Sequence, residues 1–400
     1  MTLRDYPMQV RNTPGRRLTA PNRPSGIRSS LDPSAVVRSR FEQEKRMRIA
    51  QIAPLYEAVP PKLYGGTERV VSYLTEALVD LGHDVTLFAS GDSVTSANLD
   101  ACWPRALRLD PTIRDALAPH VLMMEKVRKV AHEFDVLHFH LDYMPFPLFT
   151  TMDTPFVTTL HGRLDLPELQ PVFDAFSNVP VVSISDSQRV PLPQANWLNT
   201  IYHGLPEQLL TPQAHKKPEY LAFLGRICPE KRVDTAIKIA AQSGLPLKIA
   251  AKVDKVDQEY FKKEIEPLLS MAHVEFVGEI NEAQKPEFLS GAKALLFPID
   301  WSEPFGLVMI ESMACGTPVI AFNRGSVPEV IDHGVTGYIV EDVQGAVAAL
   351  QRLDELSRTE IRAQFERRFS SKTMAQNYVD GYSALIEATR RPMLRRVAVG

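Results

Sequence analysis

The sequence predicts an α/β protein made of two successive doubly wound units, each a parallel sheet with helices on both faces. Three observations carry this. From residue 47 to about 390, short apolar runs alternate with segments of 3–4 apolar spacing, the pattern of repeated βαβ units. The alternation closes near residue 203 and restarts with a new strand pattern at Tyr220–Leu224. A length of 400 residues allows two or three domains at roughly 150 residues each.

Arg48–Ala53 reads as a strand stopped by Pro54. After Gly65-Gly66 comes a helix with Val70, Val71, Leu74, Leu78 and Leu81 on one face, ended by Gly82. Strands are expected at 84–89, 136–140, 155–160, 181–185 and 199–203, with helices or long loops between. In the second half we expect strands at 220–224, 246–251, 274–277, 294–299, 318–322 and 337–340. Helices are expected at 233–242, 257–269, 282–291 and 306–314, followed by three closing helices. The organisation expected is a basic disordered extension (1–46), a first unit (47–203), a second unit (204–371), a closing helix (372–390) and a tail (391–400).

Composition narrows the function classes. Charged residues are 23% and hydrophobic residues 44%, as in soluble globular proteins. No run of about 18 apolar residues suggests a membrane span. The three cysteines contain no CxxC pair, so a cysteine zinc site or disulfide framework is not expected and a reducing, cytoplasmic setting is. The net charge of -3 conceals a split, because residues 1–48 carry eleven Lys/Arg against four Asp/Glu. That stretch has five prolines and no apolar periodicity, a composition that cannot offset its own ordering entropy. With Arg390, Arg391, Arg395 and Arg396 it could provide peripheral membrane contact. No nucleic-acid surface is indicated.

Three loops have the character of phosphate sites. Tyr64-Gly65-Gly66-Thr67-Glu68 follows the first strand and opens a helix, so backbone N–H groups could approach an anion. It is not GxGxxG, and no acidic residue ends the second strand, which disfavours a dinucleotide. A plain glycine loop with Thr67 as N-cap is the alternative. Gly225-Arg226-Ile227-Cys228-Pro229-Glu230-Lys231 sets two cations five residues apart at a strand's carboxyl end, a pair suited to a diphosphate. Cations near a helix start oppose its dipole by about 0.3–1 kcal/mol each, so an anion is expected nearby. In Glu303-Pro304-Phe305-Gly306-Leu307-Val308-Met309-Ile310-Glu311, carboxylates stand before a helix start and some five residues within it. That spacing suits a molecule with hydroxyls at both ends and a diphosphate between, a nucleotide sugar. A capping carboxylate and an internal salt bridge are the simpler readings of Glu303 and Glu311 taken singly.

Together with Gly316-Thr317-Pro318-Val319, these motifs closely resemble family 4 of the retaining GT-B glycosyltransferases, over roughly residues 47–390. The resemblance implies two Rossmann-like domains facing across a cleft, with the last helix crossing back to the first. It implies that Arg226 and Lys231 hold the diphosphate, Glu311 the ribose and Glu303 the donor sugar, with Gly65 and Gly66 approaching the phosphates. Pro304, Phe305, Gly306 and Leu307 complete the donor loop, and Gly278 lies near the base. His161, closing Thr159-Leu160-His161-Gly162, corresponds to the family's histidine beside the sugar and phosphate, and Ser183–Arg189 to its strand-to-helix serine segment.

His138 and His140 alternate on a strand with no third partner at metal spacing, and no DxD pair is well placed. We therefore expect no cofactor and no metal, with Arg226, Lys231 and helix N-termini supplying the electrostatics. Loss of either cation is expected to cost one to two powers of ten. The donor expected is a UDP-sugar, with glucose as the hexose. The acceptor, a small molecule, lipid or glycan, would enter from the first unit near 91–110 and the aromatic run 141–147. The oligomeric state is open. Two rivals use the same residues: a nucleotide-sugar epimerase of this fold, and a non-catalytic nucleotide-sugar binder.

Overall fold

The structure, a computed structural model, describes residues 46–62 and 65–397, with side chains to Arg390. The expected basic extension lies outside these residues but for Arg46, as do Tyr64 and the side chains of the tail.

In the first half, seven strands form one parallel sheet: β1 (Arg48–Ile52), β2 (Asp84–Ser90), β3 (Asn98–Trp103), β4 (Val136–Phe139), β5 (Phe156–Thr159), β6 (Pro180–Ser183) and β7 (Asn196–Thr200). Their order is β3-β2-β1-β4-β5-β6-β7. The second sheet, also parallel, holds β8 (Tyr220–Arg226), β9 (Leu247–Lys252), β10 (Val274–Gly278), β11 (Ala292–Phe297), β12 (Val319–Phe322) and β13 (Gly337–Val340). Its order is β10-β9-β8-β11-β12-β13. Each sheet therefore grows outward in both directions from an inner pair. Between β1 and β4, and between β8 and β11, the loops leaving the carboxyl ends diverge and open a crevice.

The inner strands β1, β4 and β11 are buried along nearly their whole length, as two-sided burial in a parallel sheet requires, while β8 is buried at Leu221–Phe223 and opens toward its carboxyl end. Helix α1 (Gly66–Asp80) lays Val70, Leu74 and Leu78 against the first sheet. Helices α2 (Leu117–Val130), α3 (Val233–Ser243), α4 (Leu307–Ala314), α5 (Val343–Leu350), α6 (Arg358–Phe369) and α7 (Ser371–Val397) complete the layers used below. Helix α7 packs on α1, and its Met374, Ala375, Tyr378, Tyr382 and Ile386 share one apolar cluster with Val70, Tyr73 and Leu74. That cluster continues into β11 and α4, so the two sheets have common packing.

The chain passes between the sheets twice, and the two passages lie side by side. Leu205 N–H donates to Phe369 O at 2.9 Å, and Ser371 N–H to Leu205 O at 2.8 Å. Gly204 lies so close to Ser370 that a β-carbon would collide with its carbonyl.

Three expectations need correction. The last strand of the first sheet ends at Thr200, three residues before the expected His203; Ile201–His203 are apolar or buried because they pack between the sheets, not within one. The expected loop at 91–110 contains β3, a sheet edge with little burial and hence little periodicity to read. The expected helix at 257–269 is broken into short α, π and 3-10 turns around Pro267, whose ring and missing N–H interrupt the i−4 ladder.

Candidate active site

The loops after β1, β4 and β5 face those after β8, β9, β10 and β11. Lys252, ending β9, lies within electrostatic reach of Glu57, and Glu230 within reach of Arg163. Arg69 on α1 forms an ion pair with Glu282 after β10, and Tyr73 donates to the same carboxylate at 3.4 Å. The phosphate-like motifs are thus gathered at the two switch points, one on the first sheet and two on the second.

On the second sheet, β8 ends at Arg226, and Pro229–Lys231 make a tight 3-10 turn. Arg232, in the left-handed conformation at φ 52, then caps α3. This geometry returns Lys231 toward the neighbouring loop after β11. Its Nζ bonds the Glu303 carboxylate and lies over the rings of Phe297 (5.5 Å) and Trp301 (5.3 Å). Trp301 Nε1 donates to the same Glu303 oxygen at 3.0 Å. Arg226 lies 3.5 Å from Asp254 and 3.8 Å from Asp257. Arg232 pairs with Asp234 and Asp300, both at about 3 Å. The anion expected beside these cations is therefore supplied in part by the protein's own carboxylates.

Helix α4 starts at Leu307 behind Gly306, which caps it with φ 80. Glu303 stands before this helix and Glu311 on its second turn, both buried. Glu311 Oε1 accepts from Lys285 Nζ at 2.6 Å, and Lys285 also reaches Glu282 at 3.5 Å. A line of charges thus runs from Arg69 through Glu282 and Lys285 to Glu311. Lys285 had no motif to mark it, because its role is set by folding and not by spacing. Pro304 and Phe305 are buried; the Phe305 ring packs on His203, Tyr202 and Phe369, so its side chain belongs to the core and leaves only its backbone for a ligand. Leu307 is half-buried, and Gly278 ends β10 with φ 74 and open space around it.

On the first sheet, Gly65 is the N-cap of α1 and Gly66 its first residue, so Thr67 lies inside the helix and is not its cap. Gly65 packs against Pro61, where a β-carbon would come within 2.9 Å, whereas Gly66 faces open space. His161 follows β5, half-buried, and stacks on His203 with centroids 5.3 Å apart and ring planes 19° apart. His138 and His140 are buried, and their ring nitrogens bond Gln51, Thr159, Tyr382 and His161. Burial pushes the imidazole of His161 down to about 3 and the other three well below the usual range. Asp142, after β4, holds a left-handed backbone at φ 48. Asp142 is exposed at the crevice, but the protein packed around it still raises its carboxyl to about 6, against a hydrogen bond from the His161 backbone N–H. Its position within the run 141–147 is visible in the sequence, whereas its backbone conformation and its His161 partner are set by the fold. In that run Leu141 and Phe146 are core, while Tyr143 is exposed.

The serine segment is a joint between the sheets. Ser185 caps a short turn by accepting from Gln188 N–H at 3.0 Å. Glu329, from the second half, accepts from the backbone N–H groups of Asp186 and Ser187, both at 2.7 Å, and from Tyr202 at 3.2 Å. Glu329→Ala leaves those donors without this acceptor and is expected to cost about 1–3 kcal/mol. Urea unfolding checks the value; an unchanged midpoint and slope would show the joint to be incidental.

The comparisons agree with this geometry. The model of "Glycosyl transferases group 1" matches residues 208–372, and that of "Glycosyltransferase Family 4" matches residues 64–191. Each falls on one of the two sheets. The chain belongs to glycosyltransferase family 4. As a family 4 enzyme of GT-B fold, it moves a sugar from a nucleotide-sugar donor. Among its relatives, glycogen synthase of Mycobacterium tuberculosis is 25% identical, aligned over 87% of this chain and 97% of its own. Phosphatidyl-myo-inositol mannosyltransferase of Mycolicibacterium smegmatis is 27% identical, over 82% and 89%. Among solved structures, Anabaena HepE in complex with UDP-glucose superposes with a TM-score of 0.63 at 17% identity, over 85% of this chain and 100% of that one. Among the described residues, no helix of this glycosyltransferase is long and apolar enough to cross a membrane.

Proposed function

We propose that this glycosyltransferase moves glucose from UDP-glucose to an acceptor held at the first sheet, with retention of anomeric configuration and without a metal ion. The reading rests above all on the two switch points. The Arg226–Lys231 and Glu303–Glu311 motifs meet on adjacent strands, facing Gly65, Gly66, Asp142 and His161 across the crevice. The UDP-glucose complex of the Anabaena protein supports the choice of donor.

In this reading Arg226, Lys231 and the N-terminus of α4 receive the diphosphate, with Gly66 giving its backbone a close approach. Glu311 accepts from the ribose hydroxyls and Glu303 from those of the glucose. Gly278 borders the base, and Gly306 and Leu307 present backbone N–H groups. Donor binding exchanges internal partners for external ones: phosphate replaces Glu303 on Lys231, and ribose replaces Lys285 on Glu311. The C1–oxygen bond to the diphosphate breaks as the acceptor oxygen attacks the same face, and the leaving phosphate takes the acceptor's proton. His161 lies beside the sugar. Cations at fixed places neutralise the departing diphosphate, the work a divalent ion does elsewhere.

Asp142, exposed and bonded to the His161 backbone on the first sheet, would as an ionised carboxylate orient the attacking hydroxyl. Its raised pKa sets the sign of the pH effect. Below about pH 6 the group is protonated and no longer a pure acceptor. kcat/KM should then fall toward tenfold per pH unit below about 6, and Asp142→Asn should abolish that acidic limb while lowering the plateau.

The deciding assay incubates the protein with labelled UDP-glucose, with and without a panel of small-molecule, lipid and glycan acceptors, in the presence of EDTA. UDP release with an α-glucoside as product supports the reading. An epimerised nucleotide sugar without UDP, a β-glucoside, or activity abolished by EDTA and restored by a divalent ion would overturn it in the corresponding part.

A further inference from the structure

Behind His161 lies a buried polar chain that sugar transfer alone does not explain. Starting on α7, Tyr382 OH lies 2.6 Å from His138 Nδ1 and accepts from Gln51 Nε2 at 3.1 Å. His138 Nε2 lies 2.7 Å from Thr159 Oγ1, which in turn meets Tyr378 OH at 2.9 Å. Gln51 Oε1 lies 2.8 Å from His140 Nε2, and His140 Nδ1 lies 2.9 Å from His161 Nε2. Gln51, His138 and Thr159 are fully buried, and His140 is 3% exposed. Such a network has value only if each donor meets an acceptor.

The bonding pattern fixes where the protons sit. A carbonyl oxygen only accepts, so His140 Nε2 carries the proton that bonds Gln51 Oε1. A neutral imidazole has one N–H, so His140 Nδ1 is an acceptor. His161 Nε2 must then donate to it, and His161 Nδ1 is left as a bare acceptor. That atom is buried and has no protein partner. The Gln51 amide orientation agrees with its other contacts, because its NH2 group faces Tyr382 and the acceptor Nδ1 of His138. Both ends of the chain are anchored, one by two tyrosines of α7 and the other by the stack of His161 on His203 and the edge-on contact of His203 with Phe305.

We propose that Gln51 and His140 are positioning residues for glycosyl transfer, holding His161 in the Nε2–H tautomer so that its Nδ1 accepts a hydrogen bond from a hydroxyl of the bound sugar. This rests on the placement of His161 beside the donor sugar given above. The chain reaches α7, so the helix that returns from the second sheet holds the tautomer of a group in the active crevice. An Nδ1–H tautomer would reverse this contact, donating to the hydroxyl oxygen, and the hydroxyl proton would lose its acceptor at this point.

The test combines nitrogen NMR with kinetics. In the wild-type protein, the 15N resonances of the His161 side chain should show a protonated Nε2 and a bare Nδ1. His140→Leu removes the acceptor and should mix the tautomers, lowering kcat about two- to tenfold, the size of one hydrogen bond between neutral groups. His140→Asn retains an oxygen at the position of Nδ1 and should restore both the tautomer and most of kcat. Tyr382→Phe provides a milder break at the far end. A protonated Nδ1 in the wild type would overturn the proposal, as would a His140→Leu enzyme with normal kcat. So would equal losses in the Leu and Asn variants, since a merely structural role would not distinguish them. If the wild-type protein releases no UDP from any donor, the transfer reading fails instead, and the NMR result still reports on the tautomer.

Discussion

Lys231→Ala is expected to lower kcat/KM for the nucleotide sugar by about ten- to a hundredfold, the worth of one charge-assisted hydrogen bond to the departing diphosphate. It should also weaken the fold. Lys231 bonds Glu303, whose side chain is only 11% exposed, and the pair is framed by the Phe297 and Trp301 rings. Removing one member of a fully buried pair costs about 3–5 kcal/mol; with Lys231 22% exposed, a smaller cost is expected here. The double variant Lys231→Met, Glu303→Gln leaves no stranded charge and should recover much of the stability without recovering transfer. Urea unfolding of the wild type and the two variants reads the stability effect, and steady-state kinetics reads the effect on transfer. A Lys231→Ala enzyme with full kcat/KM would remove Lys231 from the diphosphate site.

Gly325→Ala is expected to be as damaging to transfer, though Gly325 belongs to none of the motifs. A β-carbon there would collide with the backbone N and O of Glu303, whose carbonyl accepts from Ser326 N–H at 3.0 Å. The residue also has φ 54, where a side chain adds about 1–2 kcal/mol. The Glu303 peptide would have to move, and a misplacement of about 1 Å near the reacting atoms costs on the order of a hundredfold in rate. We expect about 2–4 kcal/mol of destabilisation together with that loss. Gly334→Ala is the control: φ 79, but nothing within 4 Å of the added carbon. It should show only the backbone penalty and normal kinetics. If both variants kept normal kinetics, the close contact of Gly325 with Glu303 would have no bearing on the site.

Much of the fold was legible because its signals are local. Val70, Leu74 and Leu78 recur at helical spacing, and the strands are short runs bounded by proline and glycine. The misreadings have one cause, that periodicity reports burial and not its source. Ile201 and His203 are buried between the sheets and so carry a strand's apolar pattern outside any strand, while the edge strand Asn98–Trp103 is little buried and carries none. Pro267 is a breaker inside the expected helix 257–269, and the chain there turns 3-10. In the site, Arg226, Lys231, Glu303 and Glu311 could be chosen because their types and spacing carry chemistry. Lys285, Trp301, Asp142 and Gln51 could not, since each gains its importance from a residue far away in the chain.

The sequence by itself determined that two doubly wound units follow one another, and which loops carry the charges a nucleotide sugar needs. Hydrophobic period, turn residues and motif spacing are properties of short stretches, and they persist whatever the rest of the chain does. Only the tertiary structure decided that Lys231 reaches Glu303 across 72 residues, that Lys285 holds Glu311, and that α7 extends a hydrogen-bonded chain to His161. Those are pairings between distant segments, and sheet order sets them. Strand β11 lies beside β8, and β4 beside β1, because doubly wound sheets reverse direction there.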